Sequence, residues 1–96
     1  MTLDREDATT RRTALITGAS SGIGYELAQL FARDGYDLVL VGRDGTRLTQ
    51  IAETFRARDG IQALAVTKDL SQPAAAAELF EQVHRASMSI QVLVNN

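Results

Sequence analysis

The sequence predicts an α/β fold, a parallel β-sheet with helices packed on both of its faces. Three observations lead to that expectation. Short apolar runs alternate with longer stretches of helical periodicity. The connections between them are short, and a strand–helix–strand crossover within one sheet is right-handed, which makes the strands parallel. The second run, Asp-Leu-Val-Leu-Val at 37–41, is apolar at consecutive positions, as suits a strand covered on both sides.

Taken in order, residues 1–12 are charged, Thr-rich and aperiodic, and read as a mobile leader. Thr13 to Thr17 (TALIT) is short, apolar and stopped by Gly18, which predicts a buried strand. Over 23–33, Ile23, Leu27, Leu30 and Phe31 fall on one helical face, and Gly35 ends the helix. Residues 37–41 form the second strand. Asp44 is placed to cap the next helix, whose stripe is Leu48, Ile51, Ala52 and Phe55 and whose end is Gly60. The third strand is expected over 61–67. Ser71 is the candidate cap of a third helix with Pro73 in its first turn, where a missing N–H costs nothing. Its apolar stripe is Ala76, Leu79, Phe80 and Val83. Residues 90–94 (IQVLV) form a fourth strand, followed by Asn95 and Asn96.

The chain has 96 residues, enough for one domain. Its net charge is −2, and Lys68 is the only lysine. No basic face suited to nucleic acid is expected. With no cysteine and one histidine, thiolate chemistry, disulfides and a histidine metal cluster are ruled out. His84 sits on the third helix and reads as a surface residue. The leader lacks the apolar core of a signal peptide, and no run is long enough to span a bilayer. A cytoplasmic location is the default expectation.

The segment between the first strand and first helix bears most directly on function: Thr17–Gly18–Ala19–Ser20–Ser21–Gly22–Ile23–Gly24. A diphosphate must approach backbone amides closely, and the positive end of a helix provides them. Side chains at the point of approach would block it, so the turn needs glycine. Gly18 would open the turn, Gly22 would admit the phosphates, and Gly24 would let the helix pack on the strand. Ser20 and Ser21 add hydroxyls at the rim. No lysine stands where a P-loop would have one, which argues against ATP hydrolysis. The fold class is thereby narrowed to a Rossmann-like, doubly wound parallel sheet, β-α-β-α-β-α-β.

These residues resemble the T-G-x-x-x-G-x-G signature of the short-chain dehydrogenase/reductase family, in its compact single-domain branch. The epimerase-like branch has T-G-x-x-G-x-x-G, whereas position 21 here is Ser. Asp69–Leu70 after the third strand and Asn95–Asn96 after the fourth are similar to two further family marks, the latter to the start of N-N-A-G. The resemblance implies strand order 3-2-1-4, an adenine contact at Asp69 and a site-ordering role for Asn95. Asp69 can also be read as part of the turn into Ser71.

At the end of the second strand, NAD-binding folds place an acid for the ribose 2′-OH. Here Gly42 holds that place and Arg43 follows. A guanidinium can hold a 2′-phosphate bidentately and stack on adenine. NADP(H) is therefore the expected cofactor, with Asp44 as a rival ribose ligand and a solvated Arg43 as the plain alternative. The expected cofactor-binding set is Gly18, Ser20, Ser21, Gly22, Ile23, Gly24, Arg43, Asp69, Leu70 and Asn95, with no metal ligand. Arg11 and Arg12 read as a solvated pair.

The resemblance implies hydride transfer between the nicotinamide and a small carbonyl or alcohol substrate, resting on a Ser and on Tyr-x-x-x-Lys. Neither tyrosine fits: Tyr25 is followed four later by Gln29, and Tyr36 by Leu40. No catalytic residue is named, and 13–96 is expected to be the N-terminal part of a longer Rossmann domain, whose fourth strand would otherwise be an exposed apolar edge. A homo-oligomer is expected only of the full-length protein. A stand-alone dinucleotide-binding or regulatory module is the alternative. A methyltransferase-type sheet is disfavoured, because Gly42–Arg43 offers no acid for the ribose hydroxyls.

Overall fold

The computed structural model describes residues 11–96. The expected leader lies outside the described residues up to position 10. The elements in chain order are β1 (Thr13–Thr17), α1 (Gly22–Arg33), β2 (Asp37–Gly42), α2 (Gly45–Asp59), β3 (Ala63–Thr67), α3 (Ala75–Arg85) and β4 (Ile90–Val94). All strand pairs are parallel and the order across the sheet is β3-β2-β1-β4. The Rossmann-like expectation holds in both direction and order.

Alternation along the two central strands decides which helix goes where. Ala14, Ile16, Leu38 and Leu40 point to one face, where they meet Ala28 and Ala32 of α1 and Leu48, Ile51, Ala52 and Phe55 of α2. Leu15, Val39 and Val41 point to the other, with Val66 of β3 and with Leu79 and Val83 of α3. Each Leu, Ile, Val or Phe side chain among them taken fully out of water contributes about 1.5–3 kcal/mol, and each Ala less. Every residue of β1 is buried, as are the first five of β2, so the run 37–41 is covered on both sides as expected.

Helix α2 follows its predicted stripe. Asp44 caps it by accepting from the Arg47 amide at 3.1 Å, and Gly60 closes it in the left-handed conformation at φ +69°. Helix α1 does not follow its predicted stripe. Its buried residues are Gly24, Ala28 and Ala32, while Ile23 and Leu30 are 70% and 55% exposed. The turn from β1 is so tight that the helix lies close against the sheet, and only small side chains fit beneath it. Phe31 is turned sideways onto Tyr36 in an edge contact, with ring centroids 4.9 Å apart.

Helix α3 starts later than expected. Its N-cap is Ala74, and Ser71 and Pro73 lie in the turn before it. The Ser71 hydroxyl and amide are both taken up by the Asp69 carboxylate, so Ser71 cannot cap. The buried face is Ala75, Leu79 and Val83, leaving Phe80 of the expected stripe 49% exposed. Strand β3 begins at Ala63 rather than 61. Ile61 plugs the core, and the Gln62 amide is held by a side chain, Asp37 Oδ1, at 2.9 Å.

Asp37 organises the N-terminal end of the sheet. It is nearly buried, and its Oδ1 also accepts from Arg11 Nη1 at 3.2 Å, a nitrogen that reaches the Gly60 carbonyl as well. Arg12 donates to the Tyr36 hydroxyl. The pair is therefore not merely solvated: three chain segments are tied together at Asp37. Strand β4 lies at the sheet edge, with Leu93 59% exposed, in line with the exposed apolar edge foreseen for it.

Replacing Asp37 by Ala leaves the Gln62 amide without its acceptor and Arg11 with the Gly60 carbonyl but no carboxylate. Asp37→Ala is expected to lower unfolding stability by about 1–3 kcal/mol, and Asp37→Asn by less because the acceptor survives. Urea denaturation checks this; two variants as stable as the parent would contradict it.

Candidate functional site

Parallel strands all end on the same side, and order β3-β2-β1-β4 makes the chain leave β1 in opposite directions on either side of it. Ligands of such sheets bind in the crevice beyond the strand C-termini at that point. A cavity of about 500 Å³ lies there. Its wall takes Thr17, Gly18, Ser20 and Ser21 from the β1–α1 turn, and Val41 to Asp44 from the end of β2. Lys68, Asp69 and Leu70 follow β3, and Asn95 and Asn96 follow β4.

Of the expected cofactor-binding residues, Gly18, Ser20, Ser21, Arg43, Asp69, Leu70 and Asn95 line this cavity. Gly22, Ile23 and Gly24 do not line it; they form the first turn of α1 beside it. The Ser21 side chain makes no capping hydrogen bond, and helix geometry leaves those first amides without carbonyl partners.

Gly18 and Gly22 adopt left-handed backbone, φ +62° and +60°, a conformation that L side chains resist. Gly24 is required for another reason: a Cβ there would overlap the Gly18 carbonyl. Thr17 locks the turn to the end of the sheet. Its Oγ1 accepts from the Asn96 amide at 2.9 Å, and its proton faces the Val94 carbonyl at 3.4 Å and Asn95 Oδ1 at 3.3 Å. Asn96 Nδ2 in turn reaches the Gly18 carbonyl at 3.5 Å. Asn95 thus meets the glycine turn through Thr17. Neither Thr17 nor Asn96 is in the expected cofactor-binding set, because the contact joins residues 78 to 79 positions apart.

Arg43 is exposed on the wall and makes no hydrogen bond or ion pair among the described residues. Lys68 on the same wall is engaged with Glu78 at 2.7 Å. Asp44 is committed to capping α2. Arg47, also unmarked from sequence, donates from Nε to the Ser20 carbonyl at 3.2 Å. The Asp69 carboxylate closes a local turn, accepting from the Ser71 hydroxyl at 2.7 Å and the Ser71 amide at 3.0 Å. The hydroxyl, then the amide, hold it below its ordinary value of 3.8, with a smaller contribution from nearby Arg43. The turn reading of Asp69 is therefore realised, on a residue that still faces the cavity.

The cavity wall carries Arg43, Asp44, Lys68 and Asp69 and borders the first turn of α1. Tyr25 stacks on Phe55, and Tyr36 lies at the opposite end of the sheet beside Arg12. His84 is exposed on α3. Among the described residues, no group of three or more His, Cys, Asp or Glu could hold a metal ion, and no helix is long and apolar enough to cross a membrane.

Comparison with known proteins agrees with this geometry. The family model for short chain dehydrogenase matches residues 12–96. An uncharacterised oxidoreductase of Staphylococcus saprophyticus is 38% identical over 87 residues, covering 88% of this chain and 36% of its own. A short-chain dehydrogenase from Sphingobium yanoikuyae, solved in complex with NADPH, is 44% identical with a TM-score of 0.76, covering 85% of this chain and 32% of its own. L-sorbose reductase from Gluconobacter frateurii, solved with NADPH and L-sorbose, is 36% identical with a TM-score of 0.84, covering 88% and 32%. The chain spans about a third of the length of these proteins.

Two outcomes follow from the turn. Gly24→Ala must push the helix off the Gly18 carbonyl and is expected to cost about 1–3 kcal/mol. Gly22→Ala meets nothing within 4 Å and suffers only the left-handed penalty, about 1–2 kcal/mol. Asn, which tolerates that conformation, should recover part of the loss at 22 but none at 24, as thermal denaturation would reveal. For Asp69 the sign is that of a depressed acid: the turn is fully formed above the ordinary value of 3.8 and is lost as pH falls through the lower folded value. The Ser71 amide resonance is expected to titrate with a midpoint below 3.8; a midpoint at or above it would contradict the bonded geometry.

Proposed function

The chain belongs to the short-chain dehydrogenase family, and from that premise we propose that it is the NADP(H)-holding portion of an oxidoreductase acting on a small carbonyl or alcohol substrate. The observation behind this reading is a single cavity wall that joins the left-handed Gly18 turn to Arg43, which makes no hydrogen bond or ion pair among the described residues. The diphosphate would lie against the first amides of α1, where Gly22, Ile23 and Gly24 present no bulky obstacle to the backbone. Arg43 would take the adenosine 2′-phosphate. Asp69 and the half-exposed Leu70 would border the adenine, and Asn95 would steady the turn through Thr17. The nicotinamide, when bound, gives or takes the hydride.

Position 42 supports the choice of NADP(H). A Cβ at Gly42 would meet Leu48 at 3.5 Å and Ser20 Oγ at 3.7 Å, which is ordinary contact. There is room for the start of a larger side chain, so glycine at 42 is not demanded by packing. A carboxylate there would repel a 2′-phosphate, and Asp44 is already used as a helix cap. The Sphingobium and Gluconobacter proteins, both solved with NADPH, lend the same support by similarity.

Since no tyrosine in this sequence has a lysine four residues on, the 96-residue chain is expected to bind the dinucleotide without turning it over. Fluorescence titration with NADPH and NADH is the test. NADPH is expected to bind more tightly, and Arg43→Ala to cost about tenfold or more for NADPH, the value of a charge-assisted hydrogen bond, with little effect on NADH. Gly42→Asp is expected to favour NADH. Equal affinity of the parent for both cofactors would overturn the assignment.

A further inference from the structure

The geometry points to Arg47 as a positioning residue that sets the shape of the anion-binding turn without touching the ligand. This rests on the dinucleotide reading above. Arg47 lies in the first turn of α2, and its own amide is held by the Asp44 carboxylate at 3.1 Å. Its Nε donates to the Ser20 carbonyl at 3.2 Å, which ties α2 to the middle of the β1–α1 turn. Its guanidinium carbon sits 5.4 Å from the centroid of the Tyr25 ring. Tyr25 belongs to α1 and stacks on the fully buried Phe55 of α2, at 6.3 Å and 13°. The guanidinium is therefore held between ring and carbonyl, and the backbone it extends from is held by the cap, although the residue is exposed. It does not line the cavity, whereas Ser20 and Ser21 do.

The effect follows from peptide geometry. In a planar trans peptide the carbonyl and the following N–H point opposite ways. Drawing the Ser20 carbonyl toward Arg47 therefore turns the Ser21 N–H away from Arg47 and fixes the peptide that precedes the helix. The same bond occupies a carbonyl oxygen that would otherwise be able to turn toward an incoming anion. Because the diphosphate is common to both dinucleotides, Arg47 should strengthen NADPH and NADH alike. Arg43 differs in this respect, since it meets a group only NADPH has.

The test uses the full 96-residue chain. Arg47→Ala is expected to raise the dissociation constants of NADPH and NADH by the same factor, about five- to tenfold. Arg47→Lys, which can keep a donor near the carbonyl and a cation near the ring, should restore part of that. In the ligand-free protein, Arg47→Ala should also shift the amide resonances of Ser20 to Gly22 and quicken their hydrogen exchange, while those of β2 stay unchanged. A loss confined to NADPH would overturn the proposal, because Arg47 would then be a ligand of the 2′-phosphate. Unchanged affinities for both would overturn it as well. If the parent bound neither dinucleotide, the functional reading itself would fall, and unshifted Ser20–Gly22 amides would separately remove the clasp.

Discussion

The structure depends most on how closely the first helix is allowed to approach the first strand. A Cβ at Gly24 would overlap the Gly18 carbonyl, so helix and turn can share this space only with glycine at 24. That contact sets the angle at which α1 leaves the sheet and brings its first amides beside the cavity. It also explains the helix surface. Ala28 and Ala32 continue the close contact, and the larger Ile23 and Leu30 are left in solvent. Hydrophobic gain from burying those two side chains would require lifting the helix away, at the expense of the contact that forms the site.

The two ends of the sheet are held by different means. At the strand N-termini, Asp37 gathers Arg11, the Gln62 amide and, through Arg11, the Gly60 carbonyl. At the C-termini, the hydroxyl of Thr17 binds the segment after β4. The first network is a partly buried carboxylate whose Oδ1 accepts from two donors, where removal is costly. The second consists of neutral bonds at 2.9–3.4 Å, individually weaker.

Charge at the mouth is divided by use. Asp44, Asp69 and Lys68 each have a structural partner close by: a helix amide, a local turn and Glu78. Arg47 is spent on the Ser20 carbonyl. Arg43 alone among these has no hydrogen bond or ion pair within the described residues, and its charge acts on the nearby Asp69 carboxylate at the cavity wall. The helix dipole of α1 adds positive potential beside the cavity.

Much of this was legible in the sequence. Gly18, Gly22 and Gly24 in their strand–helix setting marked the turn, since few residue types tolerate left-handed backbone or the lack of room beneath a helix. The unbroken apolar run at 37–41 marked a central strand, and Asp44 and Gly60 marked the ends of α2. Periodicity misjudged α1, because it ranks side chains by hydrophobicity and cannot register how near the sheet lies, and the capping signal at Ser71 misplaced the start of α3, because Asp69 already holds Ser71. Thr17 with Asn96, Arg11 with Asp37 and Arg47 with Ser20 are pairings across tens of residues. Local pattern determined which elements form and where a phosphate could approach. Only packing in three dimensions decided which side chains meet, because distance in space between remote positions is set by the whole sheet and not by any segment of it.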